Sequence, residues 1–204
     1  MAKGPAFEPV YRVSDALYIN LTNRCGNACE FCVREGQDGV GDAKSLWLER
    51  EPAAAEVLDA WRGFGPEGYT ETVFCGYGEP AERLAELLEV ARAIKGQIPG
   101  HRVRLNTNGQ GSLLAGRDIT PELAGVIDCV SVSLNASNAE EYVRLCRPRH
   151  GEDAYAAMLA FAQAAQSQGL EVILSIVDGT TNEDAARAVA QSMGMPLRVR
   201  GVWG

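Results

Sequence analysis

Residues 17–32 read Leu17-Tyr18-Ile19-Asn20-Leu21-Thr22-Asn23-Arg24-Cys25-Gly26-Asn27-Ala28-Cys29-Glu30-Phe31-Cys32. A short apolar run is followed at once by three cysteines. The run predicts a strand over Leu17–Thr22, with Ile19 and Leu21 on one face and Asn20 and Thr22 on the other. Three thiolates at C-x3-C-x2-C spacing, Cys25, Cys29 and Cys32, describe a site for a soft metal or an iron–sulfur cluster. A cubane cluster normally takes four cysteine ligands, so a triplet leaves one iron open. An open position is what separates a catalytic metal site from a structural one. Zinc is the competing ligand. His101 and His150 are neither near the triplet nor at ligand spacing, and Cys75, Cys129 and Cys146 are scattered. A closed zinc site would need the tertiary fold to bring one of those cysteines in. As sequence they read instead as small buried hydrophobes.

Working outward, further apolar runs occur at Thr72–Gly76, Val103–Asn108, Val130–Asn135, Glu171–Val177 and Leu197–Val202. Helical periodicity fills the intervals. Leu84, Leu87, Leu88, Ala91 and Ile94 share one face, as do Tyr155, Met158, Leu159, Ala162 and Ala165, and Ala186, Val189, Ala190 and Met193. Thr120-Pro121 reads as an N-cap with proline in the first turn. Ser137 with Glu140 reads as a capping box, and Gly96, Gly169 and Gly194 stand where helices should stop. Repeated strand–helix units imply parallel strands joined by right-handed crossovers. The expected architecture is α/β: a (β/α)6 partial TIM-like barrel with its site at the carboxyl ends of the strands, because a full barrel needs roughly 250 residues. A doubly wound sheet is the alternative. The strands alternate polar with apolar residues, unlike parallel strands covered on both faces. Arg104, Asn106 and Asn108, then Ser131, Ser133 and Asn135, then Arg198 and Arg200, mark a polar face on each strand and so a polar lumen.

The chain has 204 residues, a formal charge of −8 and 46% apolar residues. These suit one domain over residues 1–204, with 1–14 as an N-terminal extension and no C-terminal auxiliary-cluster domain. The acidic balance argues against a grip on nucleic-acid phosphates. Met1–Ser14 lacks the apolar stretch of a secretory signal, and no run approaches the ~20 apolar residues that span a bilayer. Scattered cysteines with metal-ligand spacing suit a cytoplasmic protein.

A second cluster of chemistry-bearing residues is Phe74-Cys75-Gly76-Tyr77-Gly78-Glu79-Pro80, at the end of the second predicted strand. Glycines let backbone carbonyls approach a ligand closely, and a carboxylate favours a nearby ammonium. Arg198 and Arg200 suit a carboxylate gripped through two hydrogen bonds. Arg144, Arg147 and Arg149 surround Cys146 and Pro148 in the connection after the fourth strand, where loops often carry specificity. Trp47 and Trp61 read as packing residues.

The cysteine spacing, the aromatic Phe31 before the last cysteine, and Gly76-Tyr77-Gly78-Glu79-Pro80 one unit later resemble the radical SAM superfamily. The resemblance implies a [4Fe–4S] cluster on Cys25, Cys29 and Cys32, with S-adenosylmethionine (SAM) chelated to the open iron. It implies that Gly76, Tyr77, Gly78 and Glu79 meet the amino group of the methionine moiety. Phe31, Asn106, Asn108, Ser133, Asn135 and Arg200 are then expected around the rest of the cofactor. Within the superfamily the chain is similar to the TatD-associated radical SAM proteins. That likeness rests on Thr22-Asn23-Arg24-Cys25, Phe74 to Pro80, Leu105-Asn106-Thr107-Asn108-Gly109-Gln110, Gly116-Arg117-Asp118, Ser133-Leu134-Asn135-Ala136, Leu145-Cys146-Arg147-Pro148 and Arg198-Val199-Arg200. It implies reductive cleavage of SAM to a 5′-deoxyadenosyl radical, hydrogen abstraction from an unidentified substrate, a flavodoxin- or ferredoxin-like electron donor, and a functional link to a TatD-type nuclease. Glu79 is then a binding group and not a catalytic base. The alternatives are a glycyl-radical-type activase acting on a protein partner and a non-catalytic iron–sulfur or zinc protein.

Overall fold

In a computed structural model the described residues are 7–201. The chain opens with a hairpin. Strand β1 (Val10–Val13) turns through Ser14, held left-handed at φ 55°, and returns antiparallel as β2 (Ala16–Ile19). Part of the expected N-terminal extension is therefore an edge strand, and residues 1–6 lie outside the described residues. A four-residue strand closed by a two-residue turn needs no helix to announce it, which is why helix–strand alternation missed it.

The remaining strands are parallel: β3 (Glu71–Phe74), β4 (Arg102–Thr107), β5 (Cys129–Ser133), β6 (Glu171–Val177) and β7 (Leu197–Arg200). The sheet has seven strands, not six, in the spatial order β1-β2-β3-β4-β5-β6-β7. That order decides between the two architectures. A doubly wound sheet reverses its strand order at a switch point; here every strand lies beside its sequence neighbour, as in an open segment of a barrel. Val202, assigned to the last strand, lies outside the described residues.

Helices cover the outer face: α1 (Ala54–Gly63), α2 (Leu84–Gln97), α3 (Gly111–Ala115), α4 (Thr120–Leu123), α5 (Ala139–Cys146), α6 (Asp153–Ser167) and α7 (Glu183–Ser192). The core forms between them and the apolar strand faces, with Leu17, Ile19, Val103, Leu105, Val130, Val132, Leu174 and Ile176 buried against Val57, Trp61, Leu87, Ile94, Met158 and Phe161. Several helix ends sit one residue from their expected places. Asn138, not Ser137, caps α5, accepting from the Glu141 amide at 2.9 Å, while Glu141 reaches back to the Ser137 amide at 2.7 Å. Asp118 supports the start of α4 through the Thr120 amide at 2.9 Å. Helix α2 continues through Gly96 to Gln97. Gly169 and Gly194 do follow their helices, at φ 82° and 66°.

At the amino ends of the strands the polar groups are paired. Arg104 donates to Glu71 at 2.6 Å and to the Asn106 side chain at 3.1 Å. Lys95 meets Asp128 at 2.5 Å. The Trp61 indole donates to the Thr72 hydroxyl at 2.8 Å, and that hydroxyl lies 2.8 Å from His101 Nε2. Trp61 is buried, as expected, and Trp47 packs edge-on to Tyr77.

Candidate active site at the carboxyl end of the barrel

The cysteine loop leaves β2 and is clamped from two sides. On one side, Thr22 donates to Glu51 at 2.6 Å, and Asn23 exchanges hydrogen bonds with Leu48 at 2.8 and 3.0 Å. On the other, the Ala28 and Glu30 amides donate to the carbonyls of Cys146 and Leu145 at 3.0 and 3.1 Å, and the Arg149 amide donates to Gly26 at 2.7 Å. The segment expected to be a substrate loop thus ends helix α5 and holds the cysteine loop through its backbone. Arg147 turns the chain in a left-handed conformation at φ 44°, uncommon for a residue with a Cβ. The exposed side chains of Arg147, Arg149 and Arg144 pair with Glu30, Glu82 and Glu141, outside the wide cavity at the strand ends. Inside the loop, buried Asn27 donates to the Tyr142 hydroxyl at 3.1 Å and accepts from Gln110 at 2.8 Å. Sequence reasoning did not single out Asn27 or Tyr142. An asparagine between glycine and alanine in a loop carries no local signal of burial.

The Gly76–Glu79 segment abuts the same loop. A Cβ on Gly78 would stand 2.3 Å from the Thr22 carbonyl oxygen and 2.5 Å from that of Arg24, and the Glu79 amide donates to Arg24 at 2.8 Å. The glycine is required by contact between two backbones. At Gly76 the neighbour is a side chain: a Cβ there would stand 2.1 Å from Asn20 Oδ1. Tyr77 is buried with Tyr11 and Leu46, its hydroxyl donating to the Gln37 carbonyl. Glu79 is buried; its carboxylate accepts from the Thr107 hydroxyl at 2.7 Å and from the Ala81 and Asn108 amides at 3.1 and 2.7 Å. Burial pushes its pKa up while those hydrogen bonds pull it down.

An open cavity of about 210 Å³ lies between these two segments and the strand ends. Cys25, Cys29, Cys32 and Phe31 form one wall, and Gly76 to Pro80 another. Asn106, Asn108, Ser131, Ser133, Asn135, Ser175 and Arg200 line it from the strands. The polar strand faces therefore converge on one space, and every residue expected around the cofactor borders it. Cys75 borders it too, only half-buried, and is a cavity residue where a buried hydrophobe was expected. Cys129 is fully buried. Cys146 is buried as well; its sulfur accepts from the Asn135 amide at 3.9 Å, and its backbone carbonyl holds the cysteine loop at Ala28. The neighbouring Cys146 thiol pulls the Cys29 pKa down, whereas burial pushes Cys32 up, and burial with the nearby Glu79 pushes Cys25 up to about 12.

The donor set fits an iron–sulfur cluster better than one metal ion. Among the described residues, no three His, Cys, Asp or Glu side chains gather around a single ion position. A cubane spreads its cysteines over different irons, which suits thiols set along a wide wall. The lining from the strands has unsatisfied capacity: Asn135 Oδ1 and Arg200 Nε are buried with no hydrogen-bond partner among the described residues. Such atoms are rare in a finished interior and mark where a polar ligand would sit.

The sequence model of the Radical SAM superfamily matches residues 19–191. The chain belongs to that superfamily. Its members are enzymes that use a [4Fe–4S] cluster and SAM. The chain is 31% identical over 189 residues to a GTP 3′,8-cyclase of Mycobacterium sp. (strain KMS), covering 90% of this chain and 49% of that protein. It spans about half the length of the curated relatives it matches. In three dimensions it resembles Streptococcus suis SuiB bound to S-adenosylmethionine, with TM-score 0.68 and 15% identity over 93% of this chain and 41% of that one. It also resembles a radical SAM methyltransferase from Sphaerobacter thermophilus, with TM-score 0.59 and 17% identity over 94% and 68% of the two chains. Among the described residues no helix is long and apolar enough to cross a membrane.

Proposed function

We propose that Cys25, Cys29 and Cys32 of this chain hold the [4Fe–4S] cluster and that the adjoining cavity holds SAM, which the cluster cleaves to initiate hydrogen abstraction from a substrate. The observation that carries this reading is the direct packing of Gly78 on the cysteine loop, which puts the triplet and Gly76–Glu79 on facing walls of one cavity. Bound there, the cofactor supplies the radical chemistry; the protein supplies orientation and exclusion of water. The backbone at Gly76 and Tyr77 and the Glu79 carboxylate suit the methionine ammonium. Glu79 suits binding, because its oxygens already accept from Thr107, Ala81 and Asn108 and are held in place. Asn108, Ser133 and Asn135 suit the ribose and the methionine carboxylate, and Phe31 supplies an apolar edge.

The motifs from Thr22 to Arg200 further support membership of the TatD-associated group, hence a functional partnership with a TatD-type nuclease. An external flavodoxin- or ferredoxin-like donor delivers the electron. The free thiols suit the reducing cytoplasm. The chain spans about half the length of the relatives named GTP 3′,8-cyclase.

The test is anaerobic: reconstitute with iron and sulfide, reduce with dithionite, add SAM and quantify 5′-deoxyadenosine. Product well above that of a Cys29→Ala control is expected. A well-formed cluster whose spectrum SAM leaves unchanged, with no product, would overturn the reading.

A further inference from the structure

A second chamber of about 150 Å³ opens beside the first, between the two edge strands of the sheet. Tyr11 and Val13 of β1 face Arg198 and Arg200 of β7 across it. Cys75, Gly76, Asn106 and Arg200 border both spaces, so the chambers meet there. One wall is apolar, formed by Val13, Val40 and Leu46.

Two arginines inside this chamber differ in their chemistry. Arg104 is neutralised by Glu71 at 2.6 Å and tied to Asn106 at 3.1 Å. Arg200 has its Nε buried and unpartnered, with no carboxylate partner among the described residues. Its charged and ionisable neighbours are Cys75, Arg198, Tyr18 and Arg104, all of which line the second chamber. Burial lowers its affinity for its proton, and Arg198 and Arg104 add to that. A guanidinium in such a place is costly without an anion, and its planar fork matches a carboxylate. The chamber is smaller than the first cavity, about 150 against 210 Å³.

We propose that this chamber is a substrate subsite for a small organic acid, with its carboxylate on Arg200 and its apolar body against Val13, Val40 and Leu46. The inference rests on the reading of the first cavity as the SAM site, and it moves Arg200 from the cofactor, where the sequence pointed, to the substrate.

The test uses cluster-loaded protein under anaerobic conditions, with hydrocinnamate as probe, its uncharged amide as the matched control, and inorganic phosphate as competitor. Binding is read by calorimetry without SAM, and SAM binding is read separately from the cluster spectrum. The acid is expected to bind about tenfold or more tightly than the amide, and Arg200→Gln to erase that preference. Because Arg200 borders both cavities, Arg200→Gln should weaken acid binding by a larger factor than SAM binding. Arg200→Lys, which keeps the charge and loses the fork, should retain part of the preference and covers the case in which the glutamine variant fails to fold. Equal binding of acid and amide, or no binding of either, overturns the subsite. Displacement of the acid by phosphate at equal concentration overturns the carboxylate assignment. Loss of SAM binding in Arg200→Gln returns the residue to the cofactor and overturns the inference. Wild-type protein that binds the acid but not SAM leaves the subsite standing and sinks the reading of the first cavity.

Discussion

At the amino ends of the strands, Arg104 is fixed by Glu71 and Lys95 by Asp128; at the carboxyl ends, Asn135 and Arg200 each keep a buried polar atom without a partner among the described residues. Both ends of the lumen are polar, and their total polarity says little about function. The pairing separates them. Buried polar groups that serve only the fold find partners, because leaving one bare costs about 1–3 kcal/mol. Groups left bare at one end of one lumen are placed for something that arrives later.

The largest effect should come from joining the two motifs incorrectly. Gly78→Ala drives a Cβ into the Thr22 and Arg24 carbonyls, and overpacking against backbone costs about 3 kcal/mol. A lower denaturation midpoint and a severe loss of bound iron after reconstitution are expected. A variant that keeps its iron would show that the two segments move independently. Next comes a direct contrast between the ends. Glu71→Gln strands the nearly buried Arg104 and should cost about 3 kcal/mol, whereas Arg200→Gln removes an unpaired charge and should leave stability within about 0.5 kcal/mol or raise it. Equal losses in thermal melts would erase the distinction between paired and bare ends. The smallest effect concerns His101, whose pKa is lowered from its ordinary 6.5, chiefly by burial and then by Lys95. The unfolded chain then binds the proton more tightly, so this contribution is complete above about pH 6.5 and is lost as pH falls below it. Melts at about pH 7.5 and 5.5 should show a wild-type loss that His101→Gln diminishes.

The sequence made the cysteine loop, the strand alternation and the polar lumen legible because each is a local period or spacing. Its errors share one pattern. Predicted strands ran past their true ends, taking in Asn20, Thr22, Cys75, Gly76, Asn108 and Asn135, which the sheet releases. Their alternation continues, but their backbones turn toward the loops, and these are residues of the site or its supports. Strand propensity reads side-chain period and is blind to where the ladder stops. The tie from Asn27 through Tyr142 and Gln110, and the clamp from Leu145 and Cys146, depend on groups far apart in the chain. Backbone carbonyls have no sequence signature at all. Arg200 was visible as an arginine on a polar strand face; that it lacks a partner is a tertiary fact.

Asn27 and Tyr142 stand 115 residues apart, and the Cys146 carbonyl that receives Ala28 comes later still. At about 5–20 residues per second, synthesis of that interval takes roughly 6–23 s. For those seconds the nascent chain carries three thiols on a segment held only by its nearer partners, Leu48, Glu51 and Gly78. Pairing so distant also raises contact order and slows folding. In air, the interval before that clamp forms is when the three thiols are most open to oxidation.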